Sequence, residues 1–148
     1  MNSSPQLWLY ASAYFLWFLT IGLSLVCAAA IRDMYRIVMG YSQWHRYTVQ
    51  ILDEAGILVL GLALLALIIV TEHLYRTAVP RGTLVPTACG VLALLLLILG
   101  SLHTILFLIE VRYGVIDPIR LGMLVAELGL ATTLWWWRRR RIAQAQPS

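Results

Sequence analysis

Lysine is missing from this chain, and charge of either sign is scarce. Of 148 residues, 12% are charged and 61% are hydrophobic, and the mean hydropathy is +0.81. A water-soluble domain carries about 25% charged residues, so a solvated globule is excluded and no segment is left over for one. The two cysteines, Cys27 and Cys89, stand alone with no C-x-x-C pair, which removes disulfide-exchange chemistry; both read as small buried hydrophobes unable to bridge within the chain. Also absent are a glycine-rich phosphate loop, a nucleophile elbow, an H-E-x-x-H helix and any metal-ligand cluster. No apolar run is broken midway by the glycine and proline that build transporter sites. There is no internal repeat, linker or low-complexity segment.

What is present is a set of uncharged apolar runs. Leu7 to Ile31 and Ala55 to Thr71 carry no charge, Gly82 to Ile109 has only His103, and Leu121 to Trp137 has only Glu127. A spanning helix needs about 20 mostly apolar residues. The expected fold is therefore an all-α integral membrane protein, an antiparallel four-transmembrane-helix up-and-down bundle in one domain covering 1–148. Its spans lie at about 7–31, 55–75, 84–109 and 120–137, and helices one and two extend through 32–54 on the outer side. The first run is not expected to be a cleaved signal, because Met1 to Gln6 has no basic residue and the run exceeds a signal's apolar core.

The net charge of +4 and pI near 9.4 do not point to nucleic acid. All eleven basic residues are arginines, and four form one block, Arg138, Arg139, Arg140 and Arg141, directly after Trp135, Trp136 and Trp137. Interfacial aromatics followed by arginine mark a cytoplasmic exit, so the block reads as a topology anchor rather than an anionic-lipid site. It makes both termini of a four-span chain cytoplasmic, in a plasma or inner membrane. Asp33, Asp53, Glu54, Glu110 and Asp117 then face out, and Arg76 and Arg81 face in. Two aromatic belts follow, one with Trp8, Tyr10, Tyr75 and Trp135 to Trp137, the other with Tyr35, Tyr41, Trp44, Tyr47 and Tyr113. Trp17 falls between them, on one face with Tyr10 and Tyr14, a stripe expected to serve packing.

Chain breaks are marked. Gly40 is expected to end helix one in the left-handed conformation, and Ser42 to cap a helix through Trp44 and Tyr47. Pro80 and Gly82 end helix two. Thr83 caps helix three, with Pro86 in its first turn. Gly114 ends helix three, and Asp117 with Pro118 opens helix four.

In a hairpin turning at Tyr113 to Ile116, residues whose numbers add to about 229 or 230 lie level. Arg112 faces Asp117, Glu110 faces Arg120 and His103 faces Glu127. His103 and Glu110 share a face of one helix, as do Arg120 and Glu127 on the other. Both His103 and Glu127 fall ~10–12 Å inside the helix ends at 1.5 Å per residue. Ionisable groups at that depth are costly and are paired, functional or both. The structural reading is polar glue between two helices; the functional reading is a proton path or a quinone headgroup site, which needs a donor and a proton acceptor close together. His73 and His103 differ by ~25 Å in depth at helical rise, so they cannot ligate one haem, and His45 is too far from His73. Glu72 and Arg76 read as a solvated pair. Small residues at Gly122 and Ala126, and at Ser24 and Ala28, permit close helix contact.

The expected function is a non-catalytic accessory subunit of a larger electron-transfer or proton-translocating membrane complex. Its partners are other membrane subunits and the bilayer, and no cofactor is held within the chain alone. The alternatives are a redox subunit contributing His103 and Glu127 to a quinone site, and a small oligomeric proton-coupled transporter using Glu127 as carrier; as a separate, lesser reading, His103 is the single ligand of a pigment or haem shared between subunits.

Overall fold

The computed structural model describes residues 4–41, 46–112 and 118–144. They form four helices and no strand: α1 (Ser4–Tyr41), α2 (Arg46–Ala78), α3 (Leu84–Arg112) and α4 (Pro118–Gln144). At 1.5 Å per residue these are rods of about 57, 50, 43 and 40 Å, all longer than the ~30 Å hydrocarbon layer of a bilayer. Three of them, over Leu7–Gly40, Arg46–Ala78 and Leu84–Arg112, are long and apolar enough to cross a membrane. The fourth is less apolar because Arg120, Glu127, three tryptophans and the arginine block share its 27 residues.

The α2–α3 connection follows from its residues. Gly82 adopts φ 66°, the left-handed conformation that a side chain disfavours. Its N–H donates to Val79 O at 3.1 Å, and that of Thr83 reaches back to Ala78 O at 3.1 Å. This is the paired capping of a Schellman motif. Thr83 O then accepts the first bond of α3, from Thr87 N. Pro86 falls in that first turn, where its missing N–H leaves nothing unpaired. Gly40 behaves otherwise than expected: α1 runs on through it to Tyr41, and Gly82 is the one positive-φ glycine among the described residues. A glycine lowers helix stability by about 1 kcal/mol relative to alanine, which is not enough to stop a helix. The expected caps at Ser42, Gly114 and Asp117 lie outside the described residues.

The helices do not close into a ring. α3 is the hub, packing against α1, α2 and α4, whereas among the described residues α4 approaches α3 alone. Accordingly α3 holds the longest series of buried residues, from Leu84 through Ala88, Ala93, Leu95 and Leu99 to Leu106. One apolar cluster joins Ala13 of α1, Tyr75 and Ala78 of α2, and Leu84 and Ala88 of α3; a second joins Cys27 with Leu95 and Leu99. Side chains on the inner face of α1 are small (Ala13, Thr20, Ser24, Cys27), which lets helix backbones approach where no hydrophobic force drives association. Large apolar side chains instead cover the outside, Leu58, Leu62 and Phe18 among them.

Candidate functional site

The α3–α4 hairpin carries the ionisable pairs, and its geometry begins with glycine. A Cβ on Gly100 would lie 3.0 Å from Leu128 Cδ2 and 3.9 Å from Glu127 Cβ, and one on Gly90 would lie 3.1 Å from the Arg138 guanidinium. Between them Ala93 and Ala131 are wholly buried. The helices are therefore in tight contact at two positions where α3 has no side chain, and that contact helps to set the register beyond it.

One turn past Gly100, His103 Nδ1 lies 2.8 Å from Glu127 Oε2 and 3.0 Å from Oε1. The side chains are 18% and 14% exposed. With the carboxyl ionised it can only accept, so Nδ1 carries the hydrogen and one N–H is shared between two oxygens. Nε2 has no hydrogen-bond partner among the described residues. Two turns further along the same face, Arg120 donates to Glu110 Oε1 in a half-buried ion pair. The other oxygen, Oε2, is buried without a partner. The structure thus brings together both level pairs within its described part; the third, Arg112 with Asp117, falls on a residue outside it. Cys27 of α1 is buried near this hairpin, its thiol donating weakly to Leu95 O at 3.5 Å. Both cysteines are free.

At the far end of α4 the arginines fold back over the tryptophans. The Arg140 guanidinium stands 3.6 Å from the Trp136 ring centre, Arg141 5.2 Å from Trp137, and Arg138 and Arg139 5.2 and 5.8 Å from Trp135. Guanidinium over an indole face is attractive, and it holds the charge against the aromatic collar. Arg138 also covers Gly90, so one member of the block belongs to the helix contact.

Several residues have other roles than expected. Tyr75 is not a belt residue: it is 1% exposed and its hydroxyl lies 2.7 Å from Thr20 Oγ1, deep between α1 and α2. Thr20 already gives its hydrogen to Leu16 O at 2.8 Å, so Tyr75 is the donor. Trp17 donates its indole N–H to Ile68 O at 3.2 Å and meets Tyr14 edge-on, a packing bracket rather than a shelf. Gly122 has open space where a side chain would be, so the small-residue pattern on α4 is not what α3 packs against. Glu72 and Arg76 form an exposed pair at 3.7 Å. Among the described residues no group of three metal-ligating side chains occurs. The buried Thr20–Tyr75 bond and the two close glycines went unnoticed in the sequence; a hydroxyl inside an apolar run is the signal that pointed to the first.

No family model, no curated protein and no solved structure matches the chain.

Proposed function

We propose that the chain is a four-span membrane protein acting as a non-catalytic accessory subunit of a larger electron-transfer or proton-translocating assembly. The observation that carries this reading is how the buried charge is used. His103 is consumed by Glu127 and Arg120 by Glu110, each pair joining the same two helices. Such contacts average under about 1 kcal/mol in membranes, yet they select partner and register. Between the charged helix ends the outer surface is largely apolar, and among the described residues α4 has one helical neighbour. That leaves most of α4 for lipid and for other membrane subunits. The arginine block after Trp137 supports a cytoplasmic C-terminus and, on the four-span reading, a cytoplasmic N-terminus.

The test is extraction of the tagged chain from its native membrane in mild detergent, followed by native electrophoresis and an absorption spectrum of the isolated band. Migration with larger, cofactor-bearing subunits supports the proposal. A lone monomer, with the turnover of the respiratory or photosynthetic enzymes unchanged when the chain is deleted, contradicts it.

One feature favours a second reading, a quinone site. Nδ1 alone holds the carboxylate, which leaves Nε2 of His103 for a further hydrogen bond, and both side chains keep some exposure. On that reading His103→Leu and Glu127→Gln change quinol turnover while assembly persists; unchanged turnover in both variants eliminates it.

A further inference from the structure

We propose that the seam between α1 and α2 holds one anionic phospholipid, its phosphate between Arg36 and Arg46 and one acyl chain in the trough below. The inference rests on the chain spanning a membrane, and it is independent of the chain's being an accessory subunit.

The seam is a run of connected hollows with a polar end and an apolar end. The polar hollow has a volume of about 550 Å³ and is lined by Tyr35, Arg36, Met39, Arg46, Gln50 and Asp53. A neighbouring hollow of about 360 Å³ shares Arg36 and adds Arg32 and Asp33, then descends past Ala28, Ile57 and Leu64. A narrow cleft of about 80 Å³ adjoins both, sharing Tyr35 and Asp53 with the first and Arg32, Ile57 and Leu60 with the second. The change from polar to apolar falls at one level on both helices. Arg32 is the first charge after the run Leu7 to Ile31, and Asp53 and Glu54 are the last before Ala55 to Thr71. Arg32 and Asp53 meet across the seam at 3.9 Å. That level is a membrane boundary, since charge ends where hydrocarbon begins. A molecule filling the seam must itself be polar above that level and apolar below it, which describes a membrane lipid.

The sign of its headgroup follows from the charges. In the polar hollow the one carboxylate, Asp53, is already answered by Arg32. Arg36 and Arg46 make no ion pair among the described residues. Asp33 lines only the lower hollow, and Glu54 accepts from Gln50 at 3.1 Å. Two uncommitted guanidiniums flanking one hollow suit a phosphate, which arginine binds through two N–H groups at once. The Tyr35 hydroxyl, shielded from solvent and without a partner, lies where the polar hollow meets the cleft. A buried donor of this kind calls for an acceptor, and a phosphate or ester oxygen in the seam supplies one.

The experiment uses the full chain in neutral detergent, with phosphatidylglycerol or phosphatidylcholine added and the bound lipid counted by native mass spectrometry. The expected result is one retained phosphatidylglycerol per chain, in preference to phosphatidylcholine. Arg36→Gln and Arg46→Gln each weaken retention about fivefold, as expected for one arginine at a lipid surface. Gly61 lines the apolar trough and has open space beside it. Gly61→Leu therefore puts an apolar side chain into the trough, and it too lowers retention although no charge changes. A variant with Arg139, Arg140 and Arg141 changed to Gln keeps the lipid, which separates the seam from the C-terminal block. Equal retention of both lipids by the unaltered chain overturns the proposal. So does retention unaffected by Arg36→Gln, Arg46→Gln and Gly61→Leu together, or displacement of the lipid by inorganic phosphate alone.

Discussion

Removing one partner of the His103–Glu127 pair is predicted to cost far more than removing both. In His103→Leu the Glu127 carboxylate loses its donor while staying 14% exposed on a helix pressed against α3. Stranding a buried charge in this way costs about 3–5 kcal/mol, or less when the group takes up a proton instead. Glu127→Leu takes from His103 Nδ1 the one partner the imidazole has among the described residues, at about 1–3 kcal/mol. In the double variant neither penalty applies. Two leucines fill the volume, and the loss falls within about 1 kcal/mol of the unaltered chain, the scale of a polar contact between membrane helices. The interaction energy of the cycle is then at least about 1 kcal/mol, above the ~0.5 kcal/mol scatter of independent sites. Reversible unfolding in mixed micelles, followed by tryptophan fluorescence, measures all four corners. Additive single losses would refute the claim that these side chains act on each other.

Further outcomes follow from the packing. Gly100→Leu forces Leu128 and Glu127 outward and lowers stability by about 1–3 kcal/mol, whereas Gly122→Ala, facing open space, leaves it equal or slightly raised in the same unfolding assay. Thr20→Val removes the acceptor of the buried Tyr75 hydroxyl and costs about 1–3 kcal/mol, and Tyr75→Phe costs only about 0.5–1.5 kcal/mol because Thr20 keeps its bond to Leu16. Replacing Arg139, Arg140 and Arg141 by Gln weakens the topology signal, so a C-terminal reporter active only on the cytoplasmic side loses signal; undiminished activity would show that the block does not orient the chain.

The hairpin pairs were legible because an antiparallel helix pair is arithmetic: once the turn is placed, residue numbers give depth, and a spacing of seven gives the face. His103 with Glu127 and Glu110 with Arg120 needed nothing more. Which face α1 turns inward was not legible. In a membrane, lipid-facing and protein-facing surfaces are both apolar, so periodicity that separates core from solvent in a soluble helix says little here. Tyr75 illustrates the loss: near a helix end it resembles an interfacial aromatic, and only the position of Thr20 shows that it is buried. Gly100 and Gly90 were unreadable for a related reason. A glycine gives no contact of its own, and its importance comes from what the neighbouring helix brings to it. The open arrangement, in which α4 meets α3 alone among the described residues, depends on which of several apolar faces pair, and short loops with apolar helices suit a closed ring as well.

The most direct test of the account is a disulfide between α3 and α4 in native membranes. In a chain lacking Cys27 and Cys89, Gly100→Cys is paired with Glu127→Cys, and a protease site is placed between residues 113 and 117. A Cβ at position 100 lies 3.9 Å from Cβ of residue 127, within the roughly 3.5–4.5 Å that a disulfide requires. Mild oxidation is expected to keep the cleaved halves together until reductant is added, whereas Gly100→Cys with the outward-facing Val125→Cys separates at once. Equal cross-linking of the two pairs, or none at 100 and 127, would contradict the helix register on which the site depends.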